Sequence, residues 1–498
     1  MSSSSPQASE ATPTATGWRM EHTFARLPAL LHGSAIPTPV RAPRLVVLNR
    51  PLAEALGLEP GALEGTEGAE VFSGNRLPPG AAPLAQAYAG HQFGHFTALG
   101  DGRAILLGEQ VTPRGERFDI QLKGAGPTPF SRRGDGRAAL GPMLREYVIS
   151  EAMASLGIPT TRSLAVVATG ESVWRSRELP GAVLTRVAAS HLRVGTFQWV
   201  AARRDAEALR ELVNYALQRH DPELAAARPE CPAQALLAAV IDRQAALVAQ
   251  WMAVGFVHGV MNTDNVAISG ETIDYGPCAF IDSYDPATVF SSIDRHGRYA
   301  YGRQPEIMHW NLTRLAEALL PLLDPDEAKA ITRAEETLDR FEPAYQAAVL
   351  AGMRQKLGLF GDDSEDVDLI RELLDWMQRR RADYTQTWSD LTAGLAIKDV
   401  RRADQDFMHW HGRWQARLSR QPQTTAEVRR LQRAANPAFV PRNHLVEAAL
   451  EAAEQGDLVP LERLVQVLQS PFDHDRDAPE YRTGAPDGGE GYQTFCGT

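Results

Sequence analysis

Residues 258–276 read HGVMNTDNVAISGETIDYG and form the strongest cluster of polar groups in the chain. An apolar helix predicted at 233–254 precedes them, and the apolar run AFID follows. Asn265 and Asp274 stand on either side of VAISGETI, which we interpret as a short hairpin, so both side chains can face one divalent cation. Hard oxygen ligands of this kind suit Mg²⁺ or Mn²⁺ bound to phosphates. Asp264 adds a carboxylate that can orient or deprotonate an attacking hydroxyl.

The order of these groups can be compared with that of protein kinases. In kinases a catalytic Asp precedes an Asn by five positions, and a D-F-G motif supplies a second metal ligand. Here Val260 stands five positions before Asn265, whereas a D-Y-G is present at 274–276. For any one of these residues a polar turn is the simpler interpretation, but the combination favours a functional site. The stretch therefore predicts a kinase-like fold with altered chemistry.

The amino-terminal part of the chain fits this interpretation. Residues 80–195 read as short strands joined by glycine turns, with one helix inserted. The segment RFDIQLKG alternates apolar and polar residues, which places Lys123 near the end of a strand on its polar face. The helix predicted at 137–157 carries Glu146, as a kinase Lys–Glu pair requires. From about residue 205 onward the pattern is helical.

Lysine is rare in this chain, with four residues among 51 basic ones, so arginine serves wherever either cation suffices. Lys123, in a Gly-rich setting, is therefore a candidate for a position that requires a compact ammonium. Lys329 and Lys356 lie in charged helical stretches, and we assign them no function.

Two Gly-Asp-Gly-Arg turns, at 100–103 and 134–137, lie on either side of Lys123 in sequence. One such turn alone is weak evidence, because hairpins use it routinely. The second turn lies in a strongly basic stretch of an acidic protein, which predicts a pocket for a polyanion such as a triphosphate. The chain has no Walker motif and no G-x-G-x-x-G, so P-loop and Rossmann interpretations lose their main support.

Composition bounds the class of protein. The 498 residues allow about three domains or one two-lobed enzyme, and 44% apolar residues exclude wholesale disorder. A net charge of −11 argues against general binding to nucleic acid or to anionic membranes. Three cysteines cannot form a disulfide framework, so we expect a reducing, cytoplasmic setting. The sequence shows neither a transmembrane pattern nor a targeting signal.

These patterns predict an α+β fold, protein-kinase-like and two-lobed, with additional helices at the carboxyl end. The predicted organisation is a disordered segment at 1–17, a strand-rich lobe at 18–200, a helical lobe at 201–470 and a polar tail at 471–498. The strand-rich lobe carries Lys123 and the glycine turns, and the helical lobe carries the metal-binding and catalytic loops.

The chain resembles the selenoprotein O family, whose members are protein adenylyltransferases with a pseudokinase fold. The resemblance covers most of the chain and rests on these motifs: YAGHQFG from Tyr88, DIQLKGAGPTPFSRRGDGRA, LREYVISEAM, GAVLTRVAASHLRVGTF, HGVMNTDN, DYGP and NPAFVPRNHL. It implies transfer of AMP from ATP to Ser, Thr or Tyr hydroxyls of proteins, with the protein itself as one candidate substrate. It also implies release of pyrophosphate, a requirement for Mg²⁺ or Mn²⁺, and an ATP bound in a flipped orientation relative to kinases.

The resemblance also implies a role for each matching residue. Glu146 would pair with Lys123, Asp264 would be the proton acceptor, and Asn265 and Asp274 would hold the metal. The nucleotide-binding residues it implies are Gly100, Gly102, Arg103, Lys123, Asp135, Gly136, Glu146, Arg186, Arg193 and Asp274. Without the resemblance, Arg186 and Arg193 would be interpreted as solvated surface residues.

Three other functions compete with adenylyl transfer. The first is phosphoryl transfer from ATP, as a protein kinase or as a small-molecule kinase. The second is a nucleotide-binding pseudokinase that acts only as a scaffold, which retention of Lys123, Asn265 and Asp274 disfavours. The third is a variant of the leading function, in which UMP is transferred from UTP with Mn²⁺.

Cys496 is a candidate redox residue, third from the carboxyl terminus. It stands where animal members of the family place selenocysteine, and some bacterial members join it to a cysteine downstream of the D-Y-G. This chain has Phe290 in the segment where that partner is expected, and its nearest thiol in sequence is Cys278. We therefore hypothesise that Cys496 pairs either with Cys278 or with a cysteine of a substrate protein.

Overall fold

The computed structural model describes residues 16–175, 177–394 and 404–495. Contacts within the chain divide it into two compact units, and neither is continuous in sequence. The first, called the sheet unit, comprises the described residues up to Ala87, then Leu99–Met143 and Arg162–His191. The second, called the helical unit, comprises Tyr88–Ala98, Leu144–Thr161 and the described chain from Leu192 onward.

Strands are concentrated in the sheet unit. The described strands are β1 (Met20–Glu21), β2 (His32–Ser34), β3 (Arg44–Leu48), β4 (Leu84–Gln86), β5 (Ala89–Gln92), β6 (His95–Ala98), β7 (Ala104–Val111), β8 (Arg117–Lys123), β9 (Ala138–Ala139), β10 (Arg162–Trp174), β11 (Glu178–Ala188), β12 (Phe256–Val257) and β13 (Ala279–Phe280). Nine of them form one antiparallel sheet with the order β2-β4-β7-β8-β11-β10-β3, in which β1 also pairs with β7 and β9 with β11. β5 and β6 form a separate hairpin in the helical unit.

Strand β8 lies inside the sheet, between β7 and β11. Lys123 is opposite Ala104 on one side and opposite Leu184 on the other. Ile120 and Leu122 belong to the apolar core of this unit. Because successive side chains of a strand alternate between faces, Gln121 and Lys123 lie on the other face. The predicted strand that ends near Lys123, with Lys123 on its polar face, is confirmed.

Helices make up most of the remaining chain. They are α1 (Arg50–Ala55), α2 (Pro60–Leu63), α3 (Gly65–Ser73), α4 (Leu140–Ser155), α5 (Val194–Ala201), α6 (Ala206–His220), α7 (Pro222–Ala227), α8 (Pro232–Val254), α9 (Gln304–Leu323), α10 (Glu327–Leu338), α11 (Phe341–Leu357), α12 (Asp366–Arg380), α13 (Tyr384–Ala393), α14 (Gln405–Ser419), α15 (Thr425–Ala435), α16 (Asn443–Glu454) and α17 (Val459–Leu468). The helices predicted at 137–157 and 233–254 are confirmed as α4 and α8.

A short strand pair brackets the sequence that carries the candidate site. α8 begins with Pro232 in its first turn and ends at Val254, and the capping residue Gly255 has a φ of +75°. Such left-handed glycines are common helix ends, because they lack a Cβ. β12 follows directly and pairs antiparallel with β13, with Phe256 opposite Phe280. Residues 258–276, called the 258–276 loop from here on, therefore leave and return to the same two-stranded ladder.

The hairpin predicted for VAISGETI, residues 266–273, is wrong. The segment makes one local turn, in which the Gly270 N–H donates to the Ala267 carbonyl at 3.1 Å, but its bridges go to other segments: Ala267 pairs with Arg193, and Thr272 forms a parallel bridge with Thr160. Trp251 also donates to the Thr272 hydroxyl at 2.9 Å. The bridges to Arg193 and Thr160 satisfy backbone polar groups that a hairpin would have paired locally.

The described part of the carboxyl-terminal tail packs against other segments of the helical unit. Thr494 donates through its backbone N–H to the Phe290 carbonyl and through its hydroxyl to the Pro277 carbonyl, both at 2.8 Å. Tyr492 makes a ring contact with Phe290. Of the predicted disordered segment at 1–17, residues 1–15 lie outside the described part of the chain, and so does Cys496.

The expected fold class is confirmed. The antiparallel sheet and the many helices, including those at the carboxyl end, make this an α+β protein, which is consistent with a protein-kinase-like fold. Among the described residues, no helix is long and apolar enough to cross a membrane.

Candidate active site

Asp264 lies in a single 3₁₀ turn, Thr263–Asn265, within the 258–276 loop. Its side chain is buried, with the residue 8% exposed, and the carboxylate oxygen Oδ1 has no hydrogen-bond partner among the described residues. Burial raises the pKa of Asp264 to about 6, although Arg193 and a hydrogen bond from Gln92 act in the opposite direction. A buried carboxylate with one uncommitted oxygen is suited to accept a proton.

The β5–β6 hairpin fixes the backbone on one side of Asp264. His91 donates its backbone N–H to the Thr263 hydroxyl at 2.7 Å, and Phe93 donates to the Asn262 amide oxygen at 3.0 Å. The Tyr299 hydroxyl donates to the same Asn262 oxygen at 2.7 Å. The two residues that precede Asp264 are therefore held, which limits the movement of Asp264.

Asp274 and Arg193 form an ion pair next to this turn. The guanidinium Nη1 of Arg193 lies 3.1 Å from Asp274 Oδ2 and donates to the Asp264 carbonyl at 2.9 Å. The guanidinium also lies over the Tyr88 ring, 4.5 Å from its centre. Arg193 is only 3% exposed, so the interpretation of Arg193 as a solvated surface residue is wrong. Asp274 has a φ of +63°, a backbone conformation that Asp tolerates better than most residues.

The donor set at Asn265 and Asp274 fits a hard divalent cation. The Asn265 amide nitrogen donates to the Val260 carbonyl at 2.9 Å, which leaves the amide oxygen available as a ligand. The described residues contain no group of three or more His, Cys, Asp or Glu side chains that could hold a metal ion. Two protein oxygens are nevertheless what Mg²⁺ uses when phosphates and waters complete its coordination.

In the sheet unit, the two predicted glycine turns contact one intervening segment. Gly100 has a φ of +108°, and a Cβ there would come within 3.0 Å of the Phe130 ring. Gly136 has a φ of +67°, and a Cβ there would collide with the backbone of Gly126, whose N–H donates to the Gly136 carbonyl at 3.0 Å. Gly102 lies close to the Phe130 carbonyl, and Ser131 donates its hydroxyl to the Gly102 carbonyl. Both turns therefore require glycine for close approach.

Two cations share one face of the sheet beside these turns. Arg186 in β11 is opposite Gln121 in β8, and residues directly opposite each other extend from the same face. Because Gln121 and Lys123 are two positions apart, Arg186 and Lys123 share that face. Arg186 is 1% exposed and Lys123 is 7% exposed. The interpretation of Arg186 as a solvated surface residue is therefore wrong, as it is for Arg193. Arg103 immediately precedes β7, and its carbonyl accepts from the Gly124 N–H at 2.7 Å.

Asp135, in the second turn, is held by a salt bridge. Arg175 donates to both of its carboxylate oxygens, at 2.9 and 3.2 Å, and the Arg137 N–H donates to Oδ1 at 2.9 Å. Partial burial would raise the pKa of Asp135, but these hydrogen bonds outweigh it and the pKa is lowered. The carboxylate therefore stays ionised and orders the turn around Gly136.

Glu146 is buried on α4, and it belongs to the helical unit. Burial is the main cause of the raised pKa values of Tyr275 and Cys278, and the charge of Glu146 adds to both, so Glu146 lies near the residues that follow Asp274. Lys123 belongs to the sheet unit, and the pairing of Lys123 with Glu146 stays a prediction. The neighbouring Arg145 pairs with Glu447, a contact that no sequence pattern indicated.

Sequence reasoning missed three residues that contact the candidate site: Tyr88, Gln92 and Tyr299. Tyr88 and Gln92 lie in the YAGHQFG motif, which was recognised only as part of the resemblance. Tyr299 lies in a segment with no recognised motif. Their contacts join positions more than 30 residues apart in sequence, so periodicity and local spacing contain no signal for them.

Comparison with known proteins identifies the family. The family model described as protein adenylyltransferase SelO matches residues 21–469. A protein nucleotidyltransferase YdiU of Bacillus cytotoxicus is 57% identical over 484 residues, which cover 97% of this chain and 98% of that protein. The protein of the same name from Brevibacillus brevis is 58% identical over 97% of this chain and 98% of its own length. The one from Syntrophotalea carbinolica is 55% identical over 99% of this chain and 100% of its own length.

The match covers the sheet unit from Glu21 onward, the 258–276 loop and the α-helices that follow it. The chain therefore belongs to the SelO family of protein adenylyltransferases and is a nucleotidyltransferase.

Proposed function

We propose that the protein transfers AMP from ATP to Ser, Thr or Tyr hydroxyls of proteins and releases pyrophosphate. The observation that carries this proposal is the buried carboxylate of Asp264, with Oδ1 uncommitted, next to the oxygen donors of Asn265 and Asp274. Family membership supports transfer of a nucleotide rather than of the γ-phosphoryl group.

In the proposed reaction Asp264 acts on the attacking hydroxyl. The hydroxyl gives its proton to Asp264 Oδ1 while its oxygen forms a bond to the α-phosphorus, and the bond to the pyrophosphate oxygen breaks. The hydrogen bonds to Asn262 and Thr263 keep the carboxylate in place during this step. Mg²⁺ or Mn²⁺, held by Asn265 and Asp274, would neutralise charge on the phosphates.

Two sets of residues are proposed to hold the nucleotide. In the sheet unit they are Gly100, Gly102, Arg103, Lys123, Asp135, Gly136 and Arg186. In the helical unit they are Glu146, Arg193 and Asp274. Buried arginine guanidinium groups can bind phosphate oxygens through two hydrogen bonds each, which supports a role for Arg186 and Arg193 in holding the triphosphate.

The deciding experiment uses ATP labelled separately on the α- and γ-phosphates, with Mg²⁺ or Mn²⁺ and a bacterial protein extract as the source of hydroxyl substrates. Protein labelling from the α-phosphate alone supports adenylyl transfer, and Asp264→Asn should slow that labelling by about 10²–10⁴-fold. Labelling from the γ-phosphate alone would establish a kinase, and labelling from neither would favour a scaffold. A parallel reaction with α-labelled UTP and Mn²⁺ tests uridylyl transfer.

A redox role for Cys496 is a separate proposal. Thr494, two residues earlier, reaches the Pro277 carbonyl, so the tail approaches the segment after the D-Y-G. Cys278 is buried, and this burial raises its pKa to about 12, so its thiolate is scarce. A cysteine of another protein is therefore the favoured partner. Mass spectrometry of peroxide-treated, non-reduced protein tests this, because two thiols lose two electrons and two protons to peroxide. A uniformly free, oxidant-resistant Cys496 would contradict the proposal.

A further inference from the structure

The ion pair between Arg193 and Asp274 places a fixed cation on a carboxylate that the proposed function assigns to a metal. The Arg193 Nη1 to Asp274 Oδ2 distance is 3.1 Å, and the side chains are 3% and 22% exposed. At such burial water screens the two charges weakly, so the guanidinium affects any other cation that approaches Asp274.

Arg193 is held in place from its backbone outward. Its N–H donates to the Thr196 hydroxyl at 3.1 Å at the start of α5, and it forms an antiparallel bridge with Ala267. The neighbouring Val194 donates to the Val266 carbonyl at 2.9 Å. These contacts join Arg193 to residues 266 and 267, which lie in the sequence between the two proposed metal ligands, Asn265 and Asp274.

The guanidinium itself is held on two further sides. It donates to the Asp264 carbonyl at 2.9 Å and lies over the Tyr88 ring at 4.5 Å. A planar guanidinium fits both contacts at once, because it donates in its plane and stacks through its face. The cation cannot leave Asp274 without giving up these contacts.

We propose that Arg193 is a built-in counter-cation for Asp274, which weakens metal binding to the nucleotide-free protein and couples metal binding to nucleotide binding. A divalent cation at Asp274 lies close to the positive charge of Arg193, and this repulsion lowers its affinity. The phosphates of a nucleotide neutralise the guanidinium and remove the repulsion. Metal and nucleotide therefore bind cooperatively, and metal alone binds poorly.

The first part of this proposal concerns metal binding alone and needs no assumption about the reaction. The second part, coupling to the nucleotide, rests on the proposed function. Their tests are separate, so failure of adenylyl transfer would leave the metal-only result intact.

The metal-only test is an electron paramagnetic resonance titration with Mn²⁺ in the absence of nucleotide. Arg193→Gln keeps a hydrogen-bond donor but removes the charge, and it should bind Mn²⁺ about tenfold more tightly, within the usual range of coupling between two sites. Arg193→Lys keeps the charge and should remain within about twofold of the wild type, well below that range. In Arg193→Gln/Asp274→Asn the gain should disappear. Unchanged or weaker Mn²⁺ binding in folded Arg193→Gln, or a gain that survives in the double variant, would overturn the proposal.

A second variant guards against misfolding of Arg193→Gln, which melting curves would reveal. Tyr88→Leu leaves the cation in place but removes the ring that holds it, so Mn²⁺ affinity should rise by a smaller factor. No rise in folded Tyr88→Leu, when Arg193→Gln is unfolded, contradicts the proposal.

The coupling test repeats the titration with α,β-methylene ATP, corrected for Mn²⁺ bound by the free analogue. In the wild type the analogue should raise Mn²⁺ affinity by a larger factor than it does in Arg193→Gln, because the repulsion is already absent in the variant. If the analogue raised Mn²⁺ affinity by the same factor in both proteins, the proposed coupling to the nucleotide would be wrong, and only the effect of Arg193 on metal binding alone would stand.

Discussion

The 258–276 loop and the glycine-turn region of the sheet unit are organised in different ways. In the loop, Asp264, Asn265 and Asp274 come from one short stretch that β12 and β13 bracket. In the sheet unit, the candidate residues come from two turns and two strands and meet through the sheet register. The loop can thus be disabled by changing one group, whereas the sheet-unit site depends on backbone approach at several glycines.

The largest expected effect is at Asp264. Asp264→Asn should lower turnover by about 10²–10⁴-fold, the usual scale for loss of a general base. Nucleotide affinity should stay nearly unchanged, because the neighbouring contacts run through the backbone and through Asn262 and Thr263. Steady-state kinetics and equilibrium binding of the analogue measure the two quantities. Asp339→Asn, at an exposed position, is the control for the loss of one negative charge. An equal loss of affinity would make Asp264 a binding residue and would weaken the contrast between the two regions.

A second test concerns Lys123, which is buried at the end of β8 and paired on both sides. Lys123→Arg should lower kcat/KM almost as much as Lys123→Ala, by about 10²-fold, the scale that a misplacement of 1 Å can produce. The strand cannot shift to accommodate the longer guanidinium, because both neighbouring strands fix its register. The exposed Lys329→Arg should be neutral. A Lys123→Arg protein with most of its activity would show that any cation suffices there.

A third test concerns the close approach of the Gly100 backbone to the Phe130 side chain in the sheet unit. Gly100→Ala should weaken nucleotide binding by about tenfold or more, because its Cβ would displace the Phe130 ring and the positive φ adds about 1–2 kcal/mol of strain. Gly115→Ala is the matched control, since Gly115 also has a positive φ, +83°, but nothing lies within 4 Å of its Cβ position. Both variants carry the strain, and only Gly100→Ala carries the clash. Equal nucleotide affinity in the two proteins would show that the close approach at Gly100 has no role in binding.

The same contrast explains how much the sequence could predict. Local features were predictable: α4, α8, the strand ending at Lys123 and the spacing of Asp264, Asn265 and Asp274 all depend on residues close in sequence. The hairpin at 266–273 was predicted wrongly, because its partners are Arg193 and Thr160.

Burial of charge was also beyond a reading of local pattern. Arg186 and Arg193 look like surface arginines in sequence, yet both are buried. Their burial depends on sheet register and on the Tyr88 ring, which local patterns do not encode. The resemblance to a known family supplied those residues, and composition and periodicity did not.

The smallest expected effect on activity concerns Lys356, to which the sequence assigned no function. Lys356 in α11 is buried, and its ammonium lies 4.9 Å from the centre of the Trp388 ring and 5.9 Å from that of Tyr384. Burial lowers its pKa from 10.5 to about 7. The unfolded chain therefore binds one more proton than the folded protein between about pH 7 and pH 10.5. The free energy of unfolding consequently falls as the pH is lowered through this range.

Lys356→Met removes this penalty and keeps the volume of the side chain. The variant should be more stable than the wild type by about 2–4 kcal/mol near pH 7 and below, after allowing for the cation–π contacts that partly offset the burial. The sign follows from the lowered pKa: the advantage is complete below about pH 7 and shrinks as the pH rises towards 10.5. Thermal melting at several pH values between about 6 and 9.5 measures the difference, and Lys329→Met at an exposed site is the control. Adenylyl transfer should not change, in contrast to Lys123→Met. A difference in melting temperature that is constant with pH would show that Lys356 does not titrate in this range.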